Sequence, residues 1–462
     1  MSDIYHLNVP GDRRDRLIIG WLWLAVIALA LAGLFSLLLV LSRTPVIGEV
    51  FPWVDFFQSA LVVHVNLSVL VWSLSFLAIL WSFNVSTQFI PVAWLSLACA
   101  SVATVLIAIA PFTDGAEPLM SNYIPVLQTT VFFAGLLLFA FGILLAVLRA
   151  LLTASLATQL TGENVIRVGL LAVAVTVLFA LAAFCMSWYG LSMPLTPLVY
   201  FEMLFWGGGH VLQFTYTLGL FLCWFWLASR CGMNLPVSSR IVLLFLVLGF
   251  APVLAIPWYY VAYEITSVEF VHGLTNLMAY GGAVSIVPVM AALLVGMVYM
   301  QPQEGAAKVY QASLLTSFTL FGVGGVIGFV ISGSDVTIPA HYHGSTVGIT
   351  LAFMGVCYDI LIRLGCRNVS LKWARIQLWT YASGQLMHIL GLVWSGGYGV
   401  QRKVAGTDQA LDSIERVAGM GLMGLGGLVS AIGGLLFIII CVKALIQSRD
   451  IASNSGAGGD QQ

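Results

Sequence analysis

The sequence predicts an all-α polytopic membrane protein of twelve transmembrane helices. The 462 residues are 60% hydrophobic and only 8% charged, a balance outside the range of soluble domains. The apolar residues come in runs of the length, about 20 residues, that an α-helix needs to cross a bilayer. Connections between the runs are short, with no soluble domain, low-complexity tract or obvious repeat.

In chain order the spans fall roughly at 17–41, 58–82, 90–110, 124–150, 165–189, 198–228, 239–262, 270–298, 309–333, 340–364, 373–396 and 419–446. The first follows Arg13, Arg14 and Arg16 as a signal peptide would. It is longer than a signal h-region and lacks a cleavage site, so it reads as a membrane helix. The chain therefore divides into a cytoplasmic segment, 1–16, a twelve-helix membrane domain, 17–446, and a tail, 447–462. The tail is rich in Ser, Gly and Asp and is expected to be disordered and cytoplasmic.

Basic residues orient the bundle. Of the 18 Lys and Arg residues, all but Arg43, Arg402, Lys403 and Arg416 fall on the side that carries the N-terminus. The positive-inside rule makes that side, and both termini, cytoplasmic. A bacterial inner membrane is the expected location. A formal net charge of -1 argues against nucleic acid as a partner. The seven cysteines form neither CxxC nor CxxCH, which excludes a zinc ribbon, a covalently attached c-type heme and a thioredoxin-like site.

His341-Tyr342-His343 is the most informative motif. Residues at i and i+2 on a helix point about 200° apart, since each residue turns it by about 100°. Two such imidazoles cannot share one small ion, but each can hold a large cofactor on its own side of the helix. A polar ring in hydrocarbon is costly without a partner, and heme is the cofactor that fits. His64, His210, His272 and His388 lie with this pair in the outer halves of their spans, as a shared cofactor layer would require. Arg402 and Lys403 sit above that layer, in the loop between the last two spans. A basic pair there suits the carboxylates of heme propionates.

These residues resemble the catalytic subunit I of the heme-copper oxidase superfamily, which includes cytochrome c oxidase and nitric-oxide reductase. The resemblance covers nearly the whole chain. It rests on His64 opening the second span, Trp206-Gly207-Gly208-Gly209-His210 on the sixth, the His-x-His pair followed by small residues on the tenth, and the Arg402-Lys403 loop. It implies a subunit I-like bundle with two hemes, expected to be b-type. His64 and His343 would be the axial ligands of a low-spin heme, and His341 the proximal ligand of a high-spin heme. His210 would be one of three histidine ligands of a copper ion facing the second heme. A six-coordinate heme only passes electrons, whereas one histidine leaves a face open to a small gas.

The pattern breaks at the copper. The superfamily places two adjacent histidines near the outer end of the seventh span, where this chain reads Leu254-Ala255-Ile256-Pro257-Trp258-Tyr259-Tyr260-Val261. The tyrosine often found four residues after the sixth-span histidine is Phe214, with Tyr216 following. One imidazole is too few for tight copper binding. His272 would rescue the site only by swinging toward it, and reads more simply as an interfacial histidine bonded to a loop carbonyl. His388 reads as a core histidine, with a heme-edge hydrogen-bond donor as the alternative. Glu202, Glu264 and Glu269 would allow an iron site of the nitric-oxide-reductase kind, or are solvated carboxylates. Asp359 is expected to pair with Arg363 one turn on.

The leading expectation is a redox subunit that takes electrons at a low-spin heme and reduces O2 at a high-spin heme. An accessory donor subunit of the cytochrome c or cupredoxin type would supply the electrons. The alternatives are a nitric-oxide-reductase-like enzyme acting on NO with a non-copper second metal, and a diheme electron-transfer or gas-binding protein without oxidase turnover.

Overall fold

The computed structural model describes residues 4–191, 194–366 and 369–456. Arg367, one of the cations counted on the N-terminal side, and residues 457–462 of the expected tail lie outside the described residues. Twelve long helices follow one another: α1 Arg13–Arg43, α2 Val54–Phe83, α3 Ile90–Phe112, α4 Thr130–Thr153, α5 Gly162–Gly190, α6 Pro197–Arg230, α7 Ser239–Ala262, α8 Val268–Val298, α9 Ala307–Val330, α10 Thr337–Arg363, α11 Leu371–Gly397 and α12 Ile414–Gly456. Among the described residues, eleven of these are long and apolar enough to cross a membrane. The remaining helix, α11, is the more polar one, opening on Lys372 and Arg375 and burying Gln377, Gln385 and His388. The last helix runs through Gly456, past the boundary expected at residue 446.

Helix ends follow local chemistry. Thr129, Thr161 and Ser267 cap α4, α5 and α8, each hydroxyl accepting from an amide three residues on, which satisfies one of the open N–H groups of a first turn. Pro197 opens α6, where its missing N–H costs nothing. Pro252 falls inside α7, which tightens to a 3-10 turn over Ala251–Ala255. Two helices widen into π turns just after a histidine: Asn66–Val71 follows His64, and Leu277–Gly281 follows His272. Such turns recur at functional sites.

The chain forms two compact units, one of Met1–Trp21 with Ser73–Pro302 and the other of Leu22–Trp72 with Gln303–Gln462. In the first unit, α3 packs on α4 and α5 on α6. Ser96 donates to the Gly142 carbonyl across the α3–α4 seam at 2.6 Å. Between α3 and α4 a short antiparallel hairpin pairs β1 (Pro118–Leu119) with β2 (Val126–Leu127).

In the second unit, α9, α10, α11 and α12 pack in sequence. Small residues let the backbones approach, as is common where lipid supplies no hydrophobic drive. Gly324 of α9 meets Gly344 of α10 with no room for a Cβ on either. Gly384 and Gly391 of α11 face Gly419 and Gly426 of α12 in the same way. An aromatic core of Trp72, Phe353, Tyr358 and Phe437 completes the unit, and the Tyr358 hydroxyl donates to Gln377 at 2.9 Å.

Candidate functional site

Four histidines of the second unit share one arrangement. His64 on α2 places Nδ1 3.0 Å from the Ala32 carbonyl of α1. His341 at the start of α10 places Nδ1 2.7 Å from the Gly324 carbonyl of α9. His343, two residues on, places Nδ1 3.2 Å from Gln385 Oε1 of α11. His388 of α11 places Nδ1 2.9 Å from the Met423 carbonyl of α12. An oxygen acceptor at Nδ1 fixes the hydrogen there and leaves Nε2 as the bare nitrogen, which is the usual preparation of a metal-ligating imidazole. None of the four Nε2 atoms has a protein hydrogen-bond partner among the described residues.

His341 and His343 turn to different neighbours, α9 and α11, as their spacing requires. The close α9–α10 seam brings the Gly324 carbonyl within reach of His341, and Gly328 leaves space for its ring, since a Cβ there would lie 2.8 Å from the imidazole. His343 stands against His388, ring centroids 4.6 Å apart. His388 thus belongs to the imidazole cluster as well as to the core. Its Nδ1 is fixed by the Met423 carbonyl of α12, while Gln385, one turn earlier on α11, holds its neighbour His343.

Arg43 is the residue that sequence reasoning missed. It ends α1 and is only 9% exposed. Its guanidinium donates to Gln409 Oε1 and to the Gln401 carbonyl, each at 3.2 Å. Both acceptors are neutral, so a buried cation retains N–H groups suited to an anion. The signal was present, as Arg43 was one of four cations on the sparse side. Gln401 immediately precedes Arg402 and Lys403, which are half-buried in the same loop. Lys403 takes a left-handed backbone, φ 66°.

In the first unit His210 is arranged differently. Its Nδ1 lies 2.7 Å from the Trp206 carbonyl, but its Nε2 lies 2.9 Å from the Tyr123 hydroxyl. Tyr123 sits at the tip of the β1–β2 hairpin with φ 65°, a conformation costing a bulky residue about 1–3 kcal/mol. The ring rests on Gly209, where a Cβ would strike it. Gly207 and Gly208 likewise make room for Tyr260 and Phe184. Glu202 accepts from the Asn122 amide at 2.7 Å and from its side chain, anchoring the hairpin.

The family model described as "Cytochrome C and Quinol oxidase polypeptide I" matches residues 16–436. The chain belongs to this family, subunit I of the heme-copper oxidases. An uncharacterized protein of Rickettsia prowazekii (strain Madrid E) is 32% identical over 493 residues, covering 92% of this chain and 95% of that protein. An uncharacterized protein of Aquifex aeolicus (strain VF5) is 26% identical over 348 residues, 75% of this chain and 84% of that one. The fold is similar to a heme-copper terminal oxidase dimer solved by cryo-electron microscopy, with TM-score 0.62 and 16% identity over 94% of this chain and 84% of that chain.

The family implies hemes, and the open imidazole nitrogens of the second unit suit heme iron. The metal expected beside His210 does not fit. Among the described residues no three His, Cys, Asp or Glu side chains gather to hold an ion. Tyr260, in the stretch where the family's histidine pair is missing, donates to the Ala183 carbonyl at 3.0 Å and pairs with Ser187 at 2.8 Å. Glu202 is spent on Asn122, and Glu264 and Glu269 are exposed. His272 is exposed on α8 and makes no hydrogen bond among the described residues, neither swung to His210 nor bonded to a loop carbonyl. Asp359 pairs with Arg363 at 3.4 Å, as expected.

Proposed function

We propose that this oxidase-family chain is a diheme redox subunit of a bacterial inner membrane, with both termini cytoplasmic. His64 and His343 would hold a low-spin heme from α2 and α10, and His341 a second heme from the other side of α10. When bound, the two b-type hemes would supply electron transfer and the reduction of O2.

The observation that carries this reading is the uniform Nδ1 anchoring of His64, His341 and His343, which leaves each Nε2 as the bare nitrogen. Ala32, Gly324 and Gln385 fix the tautomer and the ring plane, so little conformational freedom is lost when iron binds. Arg43, Arg402 and Lys403 would receive the propionates, with Gln409 and Gln401 holding the Arg43 fork in place. Electrons would come from an accessory cytochrome c or cupredoxin-type subunit.

A second reading is favoured by the Tyr123–His210 hydrogen bond. Without a second metal the chain would act as a diheme electron-transfer or gas-binding protein. A nitric-oxide-reductase-like iron site has less support, since Glu202 points its carboxylate at Asn122.

The deciding measurement is heme and metal content of the purified protein, with reduced-minus-oxidised spectra taken with and without CO. Two hemes per chain, one of them CO-reactive, are expected. A colourless protein from heme-replete cells would end the proposal. Turnover of O2 with an electron donor separates the first reading from the second.

A further inference from the structure

Both ring nitrogens of His210 are engaged by this chain. The Trp206 carbonyl can only accept, so Nδ1 at 2.7 Å carries the hydrogen. Nε2 is then the bare nitrogen, and the Tyr123 hydroxyl 2.9 Å away donates to it. A metal would need that same lone pair, and an imidazole nitrogen has only one. In this respect His210, 1% exposed, is unlike His64, His341, His343 and His388, whose Nε2 atoms lack a protein partner among the described residues.

The phenol is held from three directions. Its ring packs edge-on to Trp206, centroids 5.6 Å apart, and lies 4.8 Å from the His210 ring. Gly209 beneath it leaves no space for a larger residue. The preceding residue, Asn122, is gripped through backbone and side chain by Glu202, two turns before His210 on α6. The helix that presents the histidine thus also anchors the loop that covers it.

We propose that the Tyr123 phenol, positioned by Glu202, takes the place of a metal at His210, making a hydrogen-bonded phenol–imidazole pair where the family pattern expects a copper ligand. His210 is then a hydrogen-bond acceptor, and Glu202 is a positioning residue that acts through Asn122 and Tyr123. The heme ligands proposed above all belong to the other unit.

The test uses the full chain, purified from cells replete in heme, copper and iron and carrying ring-15N histidine. Tyr123→Phe keeps the ring on Gly209 and removes only the hydroxyl. Its histidine nitrogen spectrum should differ from wild type by a shift of one Nε2 resonance, and Glu202→Gln should move the same resonance. Non-heme copper and iron should stay far below one per chain in wild type. An unchanged spectrum in Tyr123→Phe would overturn the pairing, and an unmoved resonance in Glu202→Gln would overturn the role of Glu202. One equivalent of copper or non-heme iron in wild type, lost in His210→Ala, would also overturn the proposal. Should His210→Ala fail to fold, the Tyr123→Phe spectrum still decides. Heme content, read on the same samples, reports separately on His64, His341 and His343.

Discussion

His341 and His343 are anchored by two different neighbours of a single helix. Nδ1 of His341 donates to the Gly324 carbonyl of α9 at 2.7 Å, and Nδ1 of His343 to Gln385 of α11 at 3.2 Å. Two residues of sequence separation therefore give two separately anchored imidazoles, one held by α9 and the other by α11.

Separate sites predict separable losses. His343→Ala should remove the low-spin spectrum and leave CO binding intact, whereas His341→Ala should do the reverse. Optical difference spectra of the two variants check this, and simultaneous loss of both signals in either one would contradict it.

Gly328→Ala tests the same division without touching a histidine. A methyl there would lie 2.8 Å from the His341 ring, a distance that forces the imidazole to move. The CO-reactive signal should weaken or shift while the low-spin signal stays as in wild type. A CO spectrum identical to wild type would show that His341 has freedom the packing does not suggest.

Arg43 predicts a change in potential. A cation near a heme favours the reduced state, because it offsets the electron that reduction adds. Arg43→Gln should therefore lower the low-spin midpoint potential, by on the order of tens of millivolts for a partly screened charge. Redox titration followed at the low-spin band measures this. An unchanged or raised potential would separate Arg43 from the heme.

The α11–α12 seam predicts a loss of stability. A Cβ at Gly426 would meet the backbone at His388 and lie 2.7 Å from the Gly384 carbonyl, atoms that cannot move without shifting a helix. Gly426→Ala should cost about 1–3 kcal/mol, the usual penalty of overpacking. Its neighbour Leu425 is exposed, so Leu425→Ala is the control. Thermal unfolding in detergent should show a lower midpoint for Gly426→Ala than for that control.

Much of the bundle was legible in hydropathy. Most span boundaries agree with the helices to within a few residues, because a run of about 20 apolar residues has little choice but to form a helix in lipid. Even α11, the more polar helix, is long enough in apolar residues to be expected at 373–396, close to the observed Leu371–Gly397. The π turns after His64 and His272 carried no such signal, since one extra residue in a turn leaves the apolar pattern unchanged. Tyr123 was equally hidden. It lies in a loop 87 positions from His210, and nothing in its neighbourhood marks it as a partner for an imidazole.

By itself the sequence determined a polytopic helical membrane protein with histidines on its second, sixth, eighth, tenth and eleventh helices, and with the family's paired histidines missing from the seventh. These are local properties of composition and spacing, readable one segment at a time. Only the tertiary structure decided which nitrogen of each imidazole stays open. That depends on an oxygen from another helix standing at Nδ1, and on whether a second group, such as the Tyr123 phenol, has already taken Nε2.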